Sequence, residues 1–234
     1  MVKKLKKIKI VILIYARLNS KRLPKKVLIK INSKNIIDLI VERIKKVSKY
    51  KLPIIVCTST NQSDNKIINY CKEKKIKFFR GNLNNVFKRT LECYDKYRFD
   101  SFIRVCADRP FFDVKLMDSM IKKFKTNKFD VVTNQFPRTY PKGLACEMAN
   151  IDIFKNLDNN LMLKSDKEHI FNFFYRNSKN YKIFNFQLNE KIFRKIKIEN
   201  DWSLNNKKDL LKIRKIYSTY SPDQYIDILK ESYK

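Results

Sequence analysis

Glycine is scarce in this chain, at 2 of 234 residues, and there is 1 tryptophan and 1 histidine. So few glycines leave no Gly-rich or low-complexity linker, and no internal repeat is visible. The lone histidine, His169, means that a Ser-His-Asp or Cys-His site must use it or does not exist. The five cysteines, at 57, 71, 93, 106 and 146, are odd in number and form no C-x-x-C pair or Cys/His cluster. That argues against a disulfide framework and a zinc site, and points to a reducing cytoplasm. No run of 18 apolar residues exists, so no membrane-spanning helix is expected. The basic start before Ile8–Ala16 looks like a signal peptide. Lys9 interrupts that run, however, and Arg17, Lys21 and Arg22 stand where a small-residue cleavage site would be. A first buried strand is the better reading.

Acidic residues are also few: 23 against 53 basic ones, a formal net charge of +30. Such a charge invites a nucleic-acid reading. The composition argues otherwise, because 41 of the basic residues are Lys and only 12 are Arg. Lys, Asn and Ile, all abundant here, have A/T-rich codons, and the lysines are spread along the whole chain. The charge reads as a solvated surface that also recruits anionic substrates, with no specific nucleic-acid partner. Hydrophobic residues at 44% exclude wholesale disorder.

Strand-length apolar runs alternate with helix-period segments. Strands are expected at 8–16, 54–59, 76–79, 101–107 and 130–134. Helices are expected at 35–47, 64–74 with Ser63 as cap, 86–97 and 114–125 with Asp113 as cap. This alternation implies an α/β fold, a mostly parallel twisted sheet flanked by helices. Beyond 134 the pattern is less regular. Strands at 144–149, 181–186 and 195–199 and helices at 151–157, 166–177, 207–220 and 223–233 are the reading. Residues 1–234 are taken as one domain, with 1–134 its regular alternating core and 135–234 its less regular closing elements.

In an open parallel sheet ligands bind at the carboxyl ends of the strands. That rule selects the loops 17–26, 59–63, 80–85 and 108–113. The first carries several cations and a hydroxyl directly after a buried strand, which suits a polyphosphate. A solvated basic turn is the plainer alternative.

Tyr15-Ala16-Arg17-Leu18-Asn19-Ser20-Lys21-Arg22-Leu23-Pro24-Lys25-Lys26-Val27-Leu28 resembles Q-A-R-x-x-S-x-R-L-P-G-K-V-L. That motif opens the cytidylyltransferases that activate acidic sugars, the 3-deoxy-manno-octulosonate and acylneuraminate enzymes. The branch most resembled is named for spore coat polysaccharide biosynthesis protein F. Further matches follow in order. Phe79-Arg80-Gly81 with Asn85-Val86 resembles F-R-G…x-V. Arg104 to Asp113 resembles V-R-x-x-x-D-x-P-x-x-D. Arg138-Thr139-Tyr140-Pro141-Lys142-Gly143-Leu144-Ala145-Cys146-Glu147 resembles R-T-Y-P-x-G-L-x-x-E. Glu168-His169-Ile170 resembles E-H-V, and Asn205 to Leu210 falls where the family has D-T-P-E-D-L. Both glycines lie inside these motifs.

The resemblance implies a nucleotide-diphospho-sugar transferase fold of the glycosyltransferase-A kind. It implies CMP transfer from CTP to a hydroxyl of an acidic sugar or similar small anionic acceptor, with release of pyrophosphate. Arg17, Arg22, Lys26 and Asp108 would be catalytic. Ala16, Ser20 and Arg80 would join them at the nucleotide. Arg104, Asn134, Arg138, Glu147 and His169 would lie on the acceptor side. Asp108 and Asn205 would hold Mg²⁺. A homodimer through the later portion is also implied, with Ile170–Tyr175 as its surface or, equally, as core. Each residue has a plainer reading: Asp108 as a turn cap, Arg80 as a surface residue, Glu147 as a lysine partner, His169 as structural. Another nucleotide, or a sugar phosphate or phosphonate acceptor, is the alternative chemistry, and a non-enzymatic polyanion binder the alternative class. Three positions depart from the family pattern: Tyr15 for Gln, Lys25 for Gly, and Asn205 for a metal-binding Asp that Asp201 or Asp209 would have to replace.

Overall fold

The structure is a computed structural model, and it describes residues 8–20, 22–188 and 201–220. In chain order the first strand is β1 (Ile10–Tyr15), followed by a small ribbon of β2 (Lys30–Ile31) and β3 (Lys34–Asn35). Then come α1 (Ile36–Val47), β4 (Ile54–Ser59), α2 (Asn65–Glu73), β5 (Lys77–Gly81) and α3 (Val86–Tyr97). Next are β6 (Ser101–Cys106), α4 (Val114–Phe124), β7 (Val131–Thr133) and β8 (Glu147–Asn150). The short helices α5 (Asp152–Lys155), α6 (Lys164–Glu168) and α7 (Asn172–Arg176), β9 (Ile183–Asn185) and α8 (Lys207–Thr219) complete the described elements.

Seven strands form one sheet in the order β5-β4-β1-β6-β8-β7-β9. β1 lies in the interior of the sheet, with apolar side chains for both faces: Ile10, Ile12 and Ile14 pack into one core layer, Val11 and Leu13 into the other. Each of these is almost wholly buried, worth about 1.5–3 kcal/mol apiece. α1, α2 and α4 cover the first face, while α3, α5 and the α6–α7 region cover the second. Helix starts follow local chemistry. The Asp38 carboxylate accepts from Asn35 N at 3.1 Å, Asn85 Oδ1 from Lys88 N at 2.8 Å, and Asp113 Oδ1 from Leu116 N at 3.0 Å. Asp113 is therefore the cap that its position suggested.

Four strands, β5, β4, β1 and β6, run parallel, as the alternating pattern required. The later half departs from it. β8 is antiparallel to both β6 and β7 and lies between them, so chain order and sheet order part company at Glu147. The helix expected over 166–177 is two short ones. Asp166 is fully buried and accepts from both terminal nitrogens of Arg176, at 3.0 and 2.7 Å. Between them Ile170 and Phe171 insert into the second core, which a continuous helix would not permit. Ile170–Tyr175 is thus core rather than an exposed dimer surface: Ile170, Phe171, Phe173 and Phe174 are all buried within this one chain. Ser63 does not cap α2, because Asn61 Oδ1 accepts from Ser63 N and starts a turn one step earlier. The strand expected at 195–199 and the helix at 223–233 lie outside the described residues. Among the described residues no helix is long and apolar enough to cross a membrane.

Candidate active site

A cavity of about 1110 Å³ opens at the carboxyl ends of β1 and β6, where the parallel topology directs ligands. One wall is the loop that leaves β1. A buried carboxylate fixes that loop to β4. Asp64 Oδ1 accepts from Leu18 N at 2.8 Å, while Oδ2 accepts from Thr58 Oγ1 at 3.0 Å, Ser59 N at 3.1 Å and the Ser59 hydroxyl. Leu18 O then accepts from Ser20 N at 2.9 Å and Lys25 N at 3.0 Å, which folds the loop back on itself. Lys25, where the family motif has Gly, sits at φ 58°, in the left-handed region that glycine adopts with least cost.

The loop's cations meet oxygen atoms supplied from far along the chain. Lys26 Nζ lies 2.5 Å from Asp108 Oδ2 and 3.0 Å from Leu204 O. Burial pushes the Asp108 carboxyl up, but Lys26 and Arg109 beside it outweigh that and hold it below its ordinary value. Arg22 donates to Asn205 Oδ1 at 2.9 Å, and Asn205 Nδ2 donates to Asp201 Oδ2 at 3.0 Å. Arg17 pairs with Glu168 at 2.8 Å, both half exposed. The 201–205 segment reaches the cavity because Gly143 lets it approach. Gly143 has φ 87°, and a Cβ there would lie 2.5 Å from Trp202 C and 2.6 Å from Ser203 N. Leu204 N closes onto Asp108 O at 2.8 Å.

The opposite wall is drier. Arg104 on β6 and Glu147 on β8 are register partners, and Arg104 Nη1 lies 2.6 Å from Glu147 Oε2. Tyr175 donates to Glu147 Oε1 at 2.8 Å, and its hydroxyl is also 2.8 Å from Thr133 Oγ1. Burial opposes the charge on Arg104, yet Cys106 and Glu147 raise its pKa above the usual arginine value. Burial, then Glu147, pushes the Tyr175 phenol well up, so it stays a donor. Phe136 stacks on Tyr175 with ring centroids 5.1 Å apart.

Of the residues nominated from sequence, Ala16, Arg17, Ser20, Arg22, Lys26, Arg104, Asp108, Arg138, Glu147, His169 and Asn205 all line this cavity. Arg80 and Asn134 do not. Arg80 Nε and Nη2 donate to Ser59 O and Asn61 O at 3.1 and 3.0 Å, so the guanidinium pins the β4–α2 loop. Asn134 is fully buried. It donates to Leu144 O at 3.0 Å and accepts from Cys146 N at 2.9 Å, and so shapes the chain that leads into β8. His169 N is bonded to Ser165 O where α6 ends, and the exposed residue faces the cavity. Asp209, a nominated substitute for a metal-binding Asp, instead accepts from the backbone of Asn205 and Asn206 and caps α8. Sequence reasoning missed Arg89 and Tyr175 on the cavity wall. Arg89 carried no motif, and Tyr175 looked like one more aromatic in an apolar helix.

A family model described as cytidylyltransferase matches residues 11–228. An uncharacterised protein of Methanocaldococcus jannaschii is 32% identical over 176 residues, 75% of this chain and 71% of that one. Spore coat polysaccharide biosynthesis protein SpsF of Bacillus subtilis is 26% identical over 165 residues, 69% of this chain and 68% of that one. Among solved structures, a cytidylyltransferase from Leptospira borgpetersenii superposes with a TM-score of 0.86 at 26% identity, covering 96% of this chain and 95% of that one.

Proposed function

Because the chain belongs to the cytidylyltransferase family, we propose that it transfers CMP from CTP to a hydroxyl of a small acidic-sugar acceptor and releases pyrophosphate. The polysaccharide-biosynthesis name of the Bacillus subtilis relative supports a place in surface-glycan assembly. Five cysteines without a disulfide fit a reducing cytoplasm.

The observation that carries the reading is the Lys26–Asp108 pair inside the cavity. A triphosphate needs its charge neutralised where pyrophosphate leaves. Arg17, Arg22 and Lys26 supply three cations from one loop, each resting on an oxygen that a phosphate can replace. The acceptor hydroxyl attacks the α-phosphorus, the bond to the bridging oxygen breaks, and the electron pair leaves with pyrophosphate. The hydroxyl proton goes to a base; among nearby groups Glu147 and His169 line the cavity.

Mg²⁺ prefers one or two carboxylates together with substrate phosphates. Asp108 and Asp201 both line the cavity, and they fit that preference. Among the described residues no group of three acidic, His or Cys side chains could hold a metal unaided. Asp201, hydrogen-bonded to Asn205, is the carboxylate we assign in place of the family's second Asp. The bound ion would supply charge neutralisation at the phosphates.

The test is calorimetry with CTP, UTP, ATP and GTP, with and without Mg²⁺, at moderate salt. Selective, Mg²⁺-dependent CTP binding is expected, and pyrophosphate release with a sugar-acid panel follows from it. Equal weak binding of all four, fading steeply with salt, would reduce the loop to a polyanion binder.

A further inference from the structure

Asp64 stands immediately before α2 but makes no capping bond to it. Its carboxylate turns back to the carboxyl end of β4 and is fully buried. A buried charge is tolerable only when its oxygens are hydrogen-bonded, and two of the donors here are backbone N–H groups from separate segments. Oδ1 accepts from Leu18 N, in the loop after β1, and Oδ2 accepts from Ser59 N, the last residue of β4. The Thr58 and Ser59 hydroxyls complete Oδ2. Only a carboxylate can join the two segments in this way. The isosteric amide has one oxygen, so its NH₂ group would face one of the two backbone N–H groups, donor against donor.

Leu18 is the pivot of the basic loop. Its side chain is 4% exposed and anchored in the core. Its N–H is held by Asp64, and its C=O accepts from Ser20 N and Lys25 N. Arg17 comes directly before this clamped peptide, Arg22 and Lys26 come soon after it, and all three line the cavity. The far end of the support is fixed as well, because Arg80 donates to Ser59 O and Asn61 O. The charge of Asp64 also acts on Arg89, but less than burial, Cys57, Tyr15 or Arg17 does. The bond to Leu18 is therefore its direct link to the cavity.

Cations fixed before the ligand arrives need no reorganisation when it binds, and that is what makes preorganised charge effective. We propose that Asp64 is a positioning residue: through the Leu18 peptide it presets the spacing of Arg17, Arg22 and Lys26 for the phosphates of the nucleotide, without touching the nucleotide itself. This rests on the cytidylyltransferase reading. A purely structural Asp64 would lower stability and leave the phosphate preference of the folded molecules unchanged.

The experiment uses the full chain, the isosteric variant Asp64→Asn, and Thr58→Val as a control that removes one Oδ2 donor and leaves the Leu18 bond. Calorimetry with Mg²⁺ at fixed, moderate ionic strength measures CTP, CMP and inorganic tripolyphosphate. Wild type and Thr58→Val should share one ratio of CTP to CMP affinity. Asp64→Asn should lose about tenfold in affinity for CTP and tripolyphosphate, the worth of one charge-assisted hydrogen bond taken from the support of the loop. Its CMP affinity should stay within about threefold of wild type. An unchanged ratio in Asp64→Asn, an equal loss for CTP and CMP, or the same change in Thr58→Val would each overturn the assignment. If Asp64→Asn does not fold, native-state hydrogen exchange of the wild type decides. The Leu18 amide should exchange as slowly as the β1 amides, with and without CTP, and exchange as fast as an exposed loop amide would overturn the proposal. Failure of the wild type to bind CTP would overturn the cytidylyltransferase reading, while tripolyphosphate still judges Asp64; binding of neither would overturn both.

Discussion

The two sides of the cavity hold their charges differently. On the loop side, Arg17–Glu168 is half exposed, Lys26–Asp108 is open on its carboxylate side, with side chains 12% and 27% exposed, and Arg22 rests on the amide of Asn205. On the sheet side, Arg104–Glu147 is nearly sealed, with side chains 12% and 5% exposed, and Tyr175 and Thr133 extend the network. Solvated pairs contribute little to stability and exchange partners easily. Buried, multiply bonded pairs are rigid and lose much when one member is removed. The loop side is therefore arranged to trade its oxygen partners for phosphates, and the sheet side is arranged to stay as it is.

The largest effect should come from the sheet side. Glu147→Ala removes the counter-charge of buried Arg104 and the acceptor of Tyr175, and should cost about 3–5 kcal/mol of stability. Urea denaturation would measure it; a loss under about 1 kcal/mol would show that the wall is not rigid in this way. Lys26→Ala should act mainly on the chemistry. Turnover should fall by about 10²–10³, as when one preorganised charge is lost from a reacting site, while the stability loss, from leaving Asp108 without its nearest cation, should be smaller than that of Glu147→Ala. Wild-type turnover in that variant would remove Lys26 from the chemistry.

A pH comparison sharpens the contrast. The Asp108 carboxyl is held below its ordinary value by Lys26 and Arg109, against the upward push of burial. A lowered folded pKa contributes stability above the unfolded value of about 3.9, and that stability is lost as pH falls through the folded one. The stability difference between wild type and Asp108→Asn should thus be constant from pH 8 to about 5 and shrink below about 4. A difference that grows on acidification would reverse the assigned shift. The smallest effect is expected at Lys25, whose left-handed backbone costs about 1 kcal/mol relative to glycine. Lys25→Gly should leave stability unchanged or raise it by up to about 1 kcal/mol, because glycine's added unfolded-state entropy offsets the relief. A clear loss would mean that the lysine side chain supports the loop.

The first half of the fold was readable because its signals are local. β4 and α3 begin and end where apolar spacing put them. The second half was not. The break between α6 and α7 is bridged by Asp166 meeting Arg176, and the reversal of β8 brings Glu147 opposite Arg104. Neither contact has a periodicity. The site divides in the same way. Ala16 to Lys26, Asp108 and Glu147 stand in contiguous motifs, whereas Arg80, which stands in a motif too, and Asn134, which the resemblance put on the acceptor side, turn out to hold backbone. Arg89 occupies a helical position that looks like any exposed arginine until α3 is laid over Tyr15.

By itself the amino-acid sequence determined the alternating strands and helices, the buried first strand, the basic loop after it and the family to which these belong. Hydrophobic period and short motifs act over a few residues, and those are legible in order. Only the tertiary structure decided which cations are already paired, which carboxylate accompanies Asn205, and that two nitrogens of Arg89 are buried without a hydrogen-bond partner among the described residues. Those are properties of distance and burial between residues up to 183 positions apart, such as Arg22 and Asn205.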